Sequence, residues 1–245
     1  MKKFLVPFMT LSLVLAVAPL SIAGDDKAAD KADDTKDAKE HLTEATTTIK
    51  EVLSIPEDGI PQKMLDGAAA VIVVPDLLKA AFIAGAKSGD GVMSVRSAGG
   101  WTHPVSINLD GGSIGWQIGV ESTDLVLVFM DEKHVKELLN GEFTLGGEVS
   151  VAVGPVGRQA SAGANTDFNS SVYAYSRSKG VFAGASLDGS KIGIDKDENA
   201  LIYGAGTTAN DVLYGTKQPK TLLKEADDFK TTLNSLAKGT MKAKS

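Results

Sequence analysis

Four places in this sequence carry residue types at spacings that chemistry uses. Gly111-Gly112-Ser113-Ile114-Gly115 contains a G-x-S-x-G string. In hydrolases that string exposes a serine hydroxyl on a strained turn between a strand and a helix. Here the residues that follow alternate apolar and polar, so a strand follows and Ser113 reads as the start of a second hairpin arm. The three histidines, His41, His103 and His134, have no His, Cys or carboxylate partner at metal-ligand spacing, and His134 reads as a solvated residue on a polar helix face. Asp195-Lys196-Asp197-Glu198-Asn199 opens like a calcium loop. Its sixth position is Ala200 where glycine is needed for the turn, and its twelfth is Gly206 where a bidentate glutamate is needed, so it reads as a carboxylate-rich loop. Gly112, Gly115 and Gly119 precede no helix N-terminus and so make no phosphate cradle. No enzyme class survives this reading. The expectation is a binding protein with no catalytic residue, no cofactor and no metal.

The elements that must present a binding surface are mostly strands. Val105, Ile107 and Leu109 alternate with polar residues, as do Ile114, Trp116, Ile118 and Val120. With Asp110-Gly111-Gly112 between them, the two runs predict a hairpin. Val71–Val74 reads as a short buried strand stopped by Pro75, and residues 125–130 as another. Asp131 caps a helix through Val135, Leu138 and Leu139 that Gly141 closes. Phe143, Leu145, Val149, Val151 and Val153 all fall on odd positions and predict one long strand ending at Gly154-Pro155. Further strands are expected near residues 171–176, 181–187 and 191–194, with Asp188-Gly189-Ser190 joining the last two.

Helices flank this region. Ala38, Leu42, Ala45, Ile49, Val52 and Leu53 line one face of a helix over about 37–54, ended by Pro56. Its polar face mixes Glu40, Glu44 and Glu51 with Lys36, Lys39 and Lys50. Membrane-surface helices favour Lys and Arg there, so packing on the domain is the preferred role and lying on a membrane the alternative. A short helix follows Pro61, and a last one covers about 220–236. The fold class expected is mainly β (α+β), an antiparallel barrel- or sandwich-like sheet of eight or nine strands flanked by N- and C-terminal helices.

The N-terminus predicts export. Lys2 and Lys3 precede an apolar stretch to Leu20, and Ser21-Ile22-Ala23 is a small-x-small cleavage site, which favours a cleaved leader over a retained anchor. Residues 24–36 hold no large apolar side chain and read as an acidic flexible linker, residues 37–237 as the domain, and 238–245 as a disordered Lys-rich tail. The destination is periplasmic or secreted. There is no cysteine, hence neither a lipidated Cys nor a disulfide. The 245-residue chain carries 25 basic and 31 acidic residues. Without Lys2 and Lys3 that leaves 23 against 31, a charge of −8, which disfavours nucleic acid and anionic surfaces at long range.

Ordered blocks along the chain resemble the SYLF family of lipid-binding domains. They include Ala-Ala-Ala-Val-Ile-Val-Val-Pro ending at Pro75, Gly89-Asp90-Gly91-Val92 and Trp101-Thr102-His103-Pro104. They continue with residues 112–119 (Gly-Ser-Ile-Gly-Trp-Gln-Ile-Gly), 151–157 (Val-Ala-Val-Gly-Pro-Val-Gly) and 175–184, then Tyr203-Gly204 and Leu213-Tyr214-Gly215. The resemblance implies a β-rich domain with flanking helices that binds lipid rather than catalysing. Relatives in eukaryotes are associated with phosphoinositides through a basic N-terminal segment, and some with actin. The mixed-charge helix and the leader of this chain depart from that pattern.

Arg177 and Lys179 form a small basic pair, and each such residue near an anionic surface contributes about 1 kcal/mol, roughly thirtyfold for two. That is too little to dock an acidic protein, so apolar contact must supply the rest, with Trp101 or Trp116 as anchors. Trp116 alternates inward and reads as core; Trp101 follows Gly99-Gly100 at a strand start. The contact candidates are therefore Trp101, Arg177 and Lys179. The expected partner is a lipid or membrane surface, with an envelope protein as the alternative.

Overall fold

An antiparallel ribbon of two long strands organises the fold. The computed structural model describes residues 25–54, 59–141, 143–147, 149–155, 169–178, 181–183, 187–215, 217 and 219–239. The expected leader, Lys179 and residues 240–245 of the tail lie outside these. Strand β1 (Ala70–Ser97) turns through β2 (Gly100–Trp101) into β3 (Val105–Phe129), and the long pair keeps register from Ala70↔Phe129 to Met93↔Val105. β1 contains the β-branched run Val71–Val74 and β3 the alternating Leu-Val-Leu-Val of residues 125–128, and the β-branched side chains suit a pleated surface. The expected hairpin turn at Asp110-Gly111-Gly112 is not formed. Those residues lie inside β3 opposite Ser88, Lys87 and Ala86, and the turn lies instead beyond Ser97. Pro75 does not stop β1 either.

Two irregularities bend the ribbon. Between Val74 and Leu77, Pro75 and Asp76 face only Asp124, so β1 gains one residue. Pro75 has no N–H to lose there, and Asp76 takes the left-handed conformation at φ 46°, which Asp tolerates. Between Ala81 and Ile83, the residues Trp116, Gln117 and Ile118 stand opposite Phe82 alone, so β3 gains two. The ribbon consequently folds back on itself. A Cβ on Gly91 would sit 2.4 Å from the Val73 carbonyl oxygen, and only glycine permits that approach.

The other strands complete a curled, half-barrel sheet, eight strands among the described residues. β6 (Val172–Ser178) pairs with the end of β3, and β8 (Lys191–Ile194) with its beginning and with β4 (Phe143–Thr144). β7 (Val181–Ala183) joins β6 antiparallel, whereas β5 (Val151–Val153) joins it parallel, a departure from an all-antiparallel sheet. The expected long strand over 143–153 is broken into β4, a bridge Leu145↔Val149, and β5.

Both faces of the sheet are covered where β1, β3 and β6 lie together. Even-numbered Ala70, Ile72 and Val74, with Leu125, Leu127 and Phe129, pack against Met93, Ile107 and Leu109 from the other half of the ribbon. Odd-numbered Val71 and Val73, with Val126, Val128, Tyr173 and Tyr175, pack under helices. Those are α1 (Asp25–Leu53), contributing Ala38, Leu42, Ala45, Ile49 and Val52, and the C-terminal helix (Lys224–Gly239), contributing Ala226, Phe229 and Leu233. α1 thus packs on its own domain. It begins at Asp25, so the segment read as a linker is helical. Thr46 and Thr47 hydroxyls donate to the carbonyls of Leu42 and Thr43, at 2.8 and 3.0 Å, which accommodates a β-branched run inside a helix.

Among the described residues four helices lie between these two: α2 (Gln62–Gly67), α3 (Glu132–Asn140), α4 (Lys196–Tyr203) and α5 (Ala209–Tyr214), and the C-terminal helix is accordingly labelled α6. Asp131 caps α3 by accepting from the Lys133 N–H, as the sequence predicts. The sequence reading missed α4 and α5. Asp195 is the N-cap of α4, and Thr208 and Asp211 form a reciprocal capping box on α5.

Candidate functional site at the bend of the ribbon

Two of the three residues expected to touch lipid, Trp101 and Arg177, are engaged within the fold, and Lys179 lies outside the described residues. Trp101 is 2% exposed and belongs to the core under α1 and α6. Asn234 of α6 clamps its backbone, accepting from the Trp101 N–H at 2.9 Å and donating to its carbonyl at 3.2 Å. The Arg96 guanidinium lies 4.4 Å over its ring while donating to the Ala68 and Leu65 carbonyls at the end of α2. Trp101 is an interior residue here, not a surface anchor. Arg177 pairs with Glu51 of α1 and with Asp124 at 3.0 Å, and its side chain is 13% exposed. Its charge is engaged in holding α1 to the sheet. The side chain of Trp116 lies outside the described residues.

The polar groups act mainly as ties between elements. His41 Nδ1 on α1 stands 3.1 Å from Glu198 Oε1 on α4. This hydrogen bond holds the imidazolium and raises its pKa from 6.5 to about 9, against partial burial and with help from the charges of Glu198, Asp90 and Glu44. His103 Nε2 stands 3.2 Å from Asp227 Oδ1 of α6, but there burial outweighs the carboxylate and the pKa falls. These partners are 157 and 124 residues apart in sequence, out of reach of any spacing argument. His134 is half-buried beside Phe143, 6.2 Å between ring centres.

In the segment read as a carboxylate-rich loop, buried Asn199 accepts from the Ser106 N–H at 3.0 Å and donates to the Ser106 carbonyl at 2.9 Å. That joins α4 to β3. Ser113 lies within β3 opposite Gly85, with strand on both sides of it rather than the helix that a nucleophile elbow requires. Among the described residues no three His, Asp or Glu side chains are grouped to hold a metal ion.

What the bend does offer is an open apolar face. Leu78 and Val120 are 54% and 77% exposed. Register places Leu78 opposite Ser122 and Ala80 opposite Val120, so these four share one face of the ribbon, and all four are exposed. Pairing of β3 with β8 ends at Asp110 and with β6 begins at Asp124, so among the described residues only β1 pairs with the stretch between. No charged residue occurs in 80–86 or in 111–120, and the register sets these two stretches side by side. Lys79 opposite Glu121 bounds them at one end; at the other, buried Lys87 stands opposite Gly111 and Ser88 Oγ donates to Asp110 Oδ1 at 2.7 Å. The sequence signal was present in the paired uncharged runs. It was hidden because residues 105–120 were read as a closed hairpin rather than as one arm of a longer ribbon.

The fold is a curled sheet covered by terminal helices, with polar groups used as ties between elements. The chain belongs to the Ysc84/SYLF family: the model described as "Las17-binding protein actin regulator" matches residues 110–236, just over half of the chain. Protein YSC84 of Saccharomyces cerevisiae is 39% identical over 160 residues, covering 64% of this chain and 34% of its own length. LAS seventeen-binding protein 3 of the same yeast is 38% identical over 164 residues, 65% of this chain and 36% of its own length. The SH3 domain-containing YSC84-like protein 1 of Xenopus laevis is 34% identical over 184 residues, 72% of this chain and 55% of its own length. The chain thus spans about a third to a half of these relatives. None of the three is named for a catalytic activity.

Proposed function

We propose that this chain is an exported, non-enzymatic protein of the cell envelope that binds lipid or a membrane surface. The observation that carries this reading is the exposed apolar face of Leu78, Ala80 and Val120 on a ribbon segment free of charge. Transfer of such side chains out of water is worth about 1.5–3 kcal/mol each on full burial. A few of them suffice for reversible attachment without basic residues. The charge of −8 expected after leader removal argues in the same direction, since it leaves apolar contact rather than electrostatic attraction to hold the protein. The amino-terminal Lys-Lys, the apolar stretch to Leu20 and the small-x-small site at Ser21-Ile22-Ala23 support export.

Co-sedimentation of residues 24–245, which include every described residue, with phospholipid vesicles tests the reading. The double variant Leu78→Asp, Val120→Asp should lose at least about tenfold in vesicle affinity, the equivalent of 1.4 kcal/mol, while its unfolding midpoint is unchanged. Retention of full binding by that variant overturns the assignment of the surface.

A second reading, an envelope protein that packs against another protein, is favoured by the name of one yeast relative, LAS seventeen-binding protein 3, and by the family model's description as a Las17-binding protein. Crosslinking to a protein partner that does not depend on lipid would select it.

A further inference from the structure

Resting on the lipid reading above, we infer that the bend of the β1–β3 ribbon enters the interfacial zone of electrically neutral bilayers, and that neither anionic lipid nor salt governs this contact. The argument begins with charge. Seventeen residues of the two arms, 80–86 and 111–120, contain none, and the register places them together. An anionic headgroup would find no cation to meet there. Lys79, at the border, already faces Glu121 across the ribbon. Among the described residues, Lys87, opposite Gly111, is buried at 4% exposure, and Arg177 is paired with Glu51 and Asp124. The exposed side chains of Leu78 and Val120 gain instead from leaving water, whatever the headgroup.

Backbone hydrogen bonding sets the depth. Between Asp110 and Asp124 the described pairing of β3 is with β1 alone, and an N–H or C=O left unpaired in hydrocarbon is strongly unfavourable. A ribbon whose described pairing leaves its outer edges open therefore stops at the boundary between headgroup and acyl chain. The irregularity opposite Phe82 puts Trp116 at this place in the ribbon. Tryptophan is the side chain that membrane interfaces enrich.

The two tryptophans make the test readable, because Trp101 is enclosed and 2% exposed whereas Trp116 is at the bend. The chain of residues 24–245 is mixed with phosphatidylcholine vesicles and, separately, with vesicles containing phosphatidylglycerol. Sedimentation, Trp emission and quenching by lipids brominated near the headgroup or deep in the chain are recorded. The expected result is binding to both, an affinity within about twofold between about 0.1 M and about 1 M salt, a blue shift absent from Trp116→Phe, and stronger quenching by the shallow label. Val120→Asp, at an exposed position that folding does not need, should abolish the shift. Binding confined to phosphatidylglycerol vesicles and removed by salt overturns this inference but leaves the lipid reading standing. Binding to phosphatidylcholine with Trp116 emission unchanged does the same, by assigning the contact to another surface. Failure to bind either vesicle overturns both.

Discussion

The same two strands build two unlike regions. Where β1 runs from Ala70 to Val74 beside residues 125–129 of β3, both faces are covered, and the residues alternate between two cores. A few residues further along, Leu78 and Val120 belong to neither core and face outward. Pairing between β1 and β3 is continuous through both regions apart from the two irregularities. What differs is the company: α1, α6 and β6 cover the first region and none of their described pairings reaches the second. Strand character alone therefore says little about whether an apolar side chain is core or surface. The number of layers stacked on it decides.

The sharpest way to break this comparison is to truncate one residue in each region. Phe129→Ala removes a fully buried ring that packs 5.9 Å from Phe143 and should cost about 3–5 kcal/mol in denaturant unfolding. Val120→Ala at the bend should stay within about 0.5 kcal/mol. Similar losses at both positions would mean that the bend is packed.

A smaller effect is expected where the two halves of the ribbon meet. Gly91→Val drives a side chain into the Val73 carbonyl oxygen and the Val74 side chain, so it should cost about 1–3 kcal/mol through displaced backbone. Thermal unfolding of Gly91→Val beside Gly112→Val, where a Cβ meets nothing within 4 Å, separates close approach from strand propensity.

The smallest effect concerns the helix that covers the closed region. His41 holds a proton more tightly folded than free, with a pKa raised from 6.5 to about 9 by Glu198. The tie therefore contributes in full below pH 6.5 and is lost as pH rises through about 9. The His41 side chain is 37% exposed, and solvent screening reduces the contribution to about 1 kcal/mol or less. Stability measured against pH should fall across that window in the parent and be flat there in His41→Gln. Hydrogen exchange in α1 should rise in the same window.

Much of this arrangement was legible in the residues. The helix face of Ala38, Leu42, Ala45, Ile49 and Val52 needed only the 3.6-residue period, and all five are buried as that period requires. The cap at Asp131 and the stop at Gly141 followed from local hydrogen bonding. Local rules failed at Asp110-Gly111-Gly112, where turn chemistry was outweighed by an unbroken ladder to β1. They failed again at Trp101, which is buried in a core shared with α1 and with Phe229 and Leu233 far along the chain. Arg177 was taken for a free cation because Glu51 and Asp124 lie 126 and 53 residues away.

By itself, then, the sequence determined which segments are periodic, where α3 is capped and stopped, and the family resemblance that residues 110–236 bear out. Tertiary structure alone decided which apolar runs become interior, which charges are neutralised by partners, and that two uncharged stretches more than twenty residues apart lie side by side at the bend. The physical reason is range. Capping and periodicity act over one or two turns of chain, whereas burial and ion pairing depend on which surfaces folding stacks together.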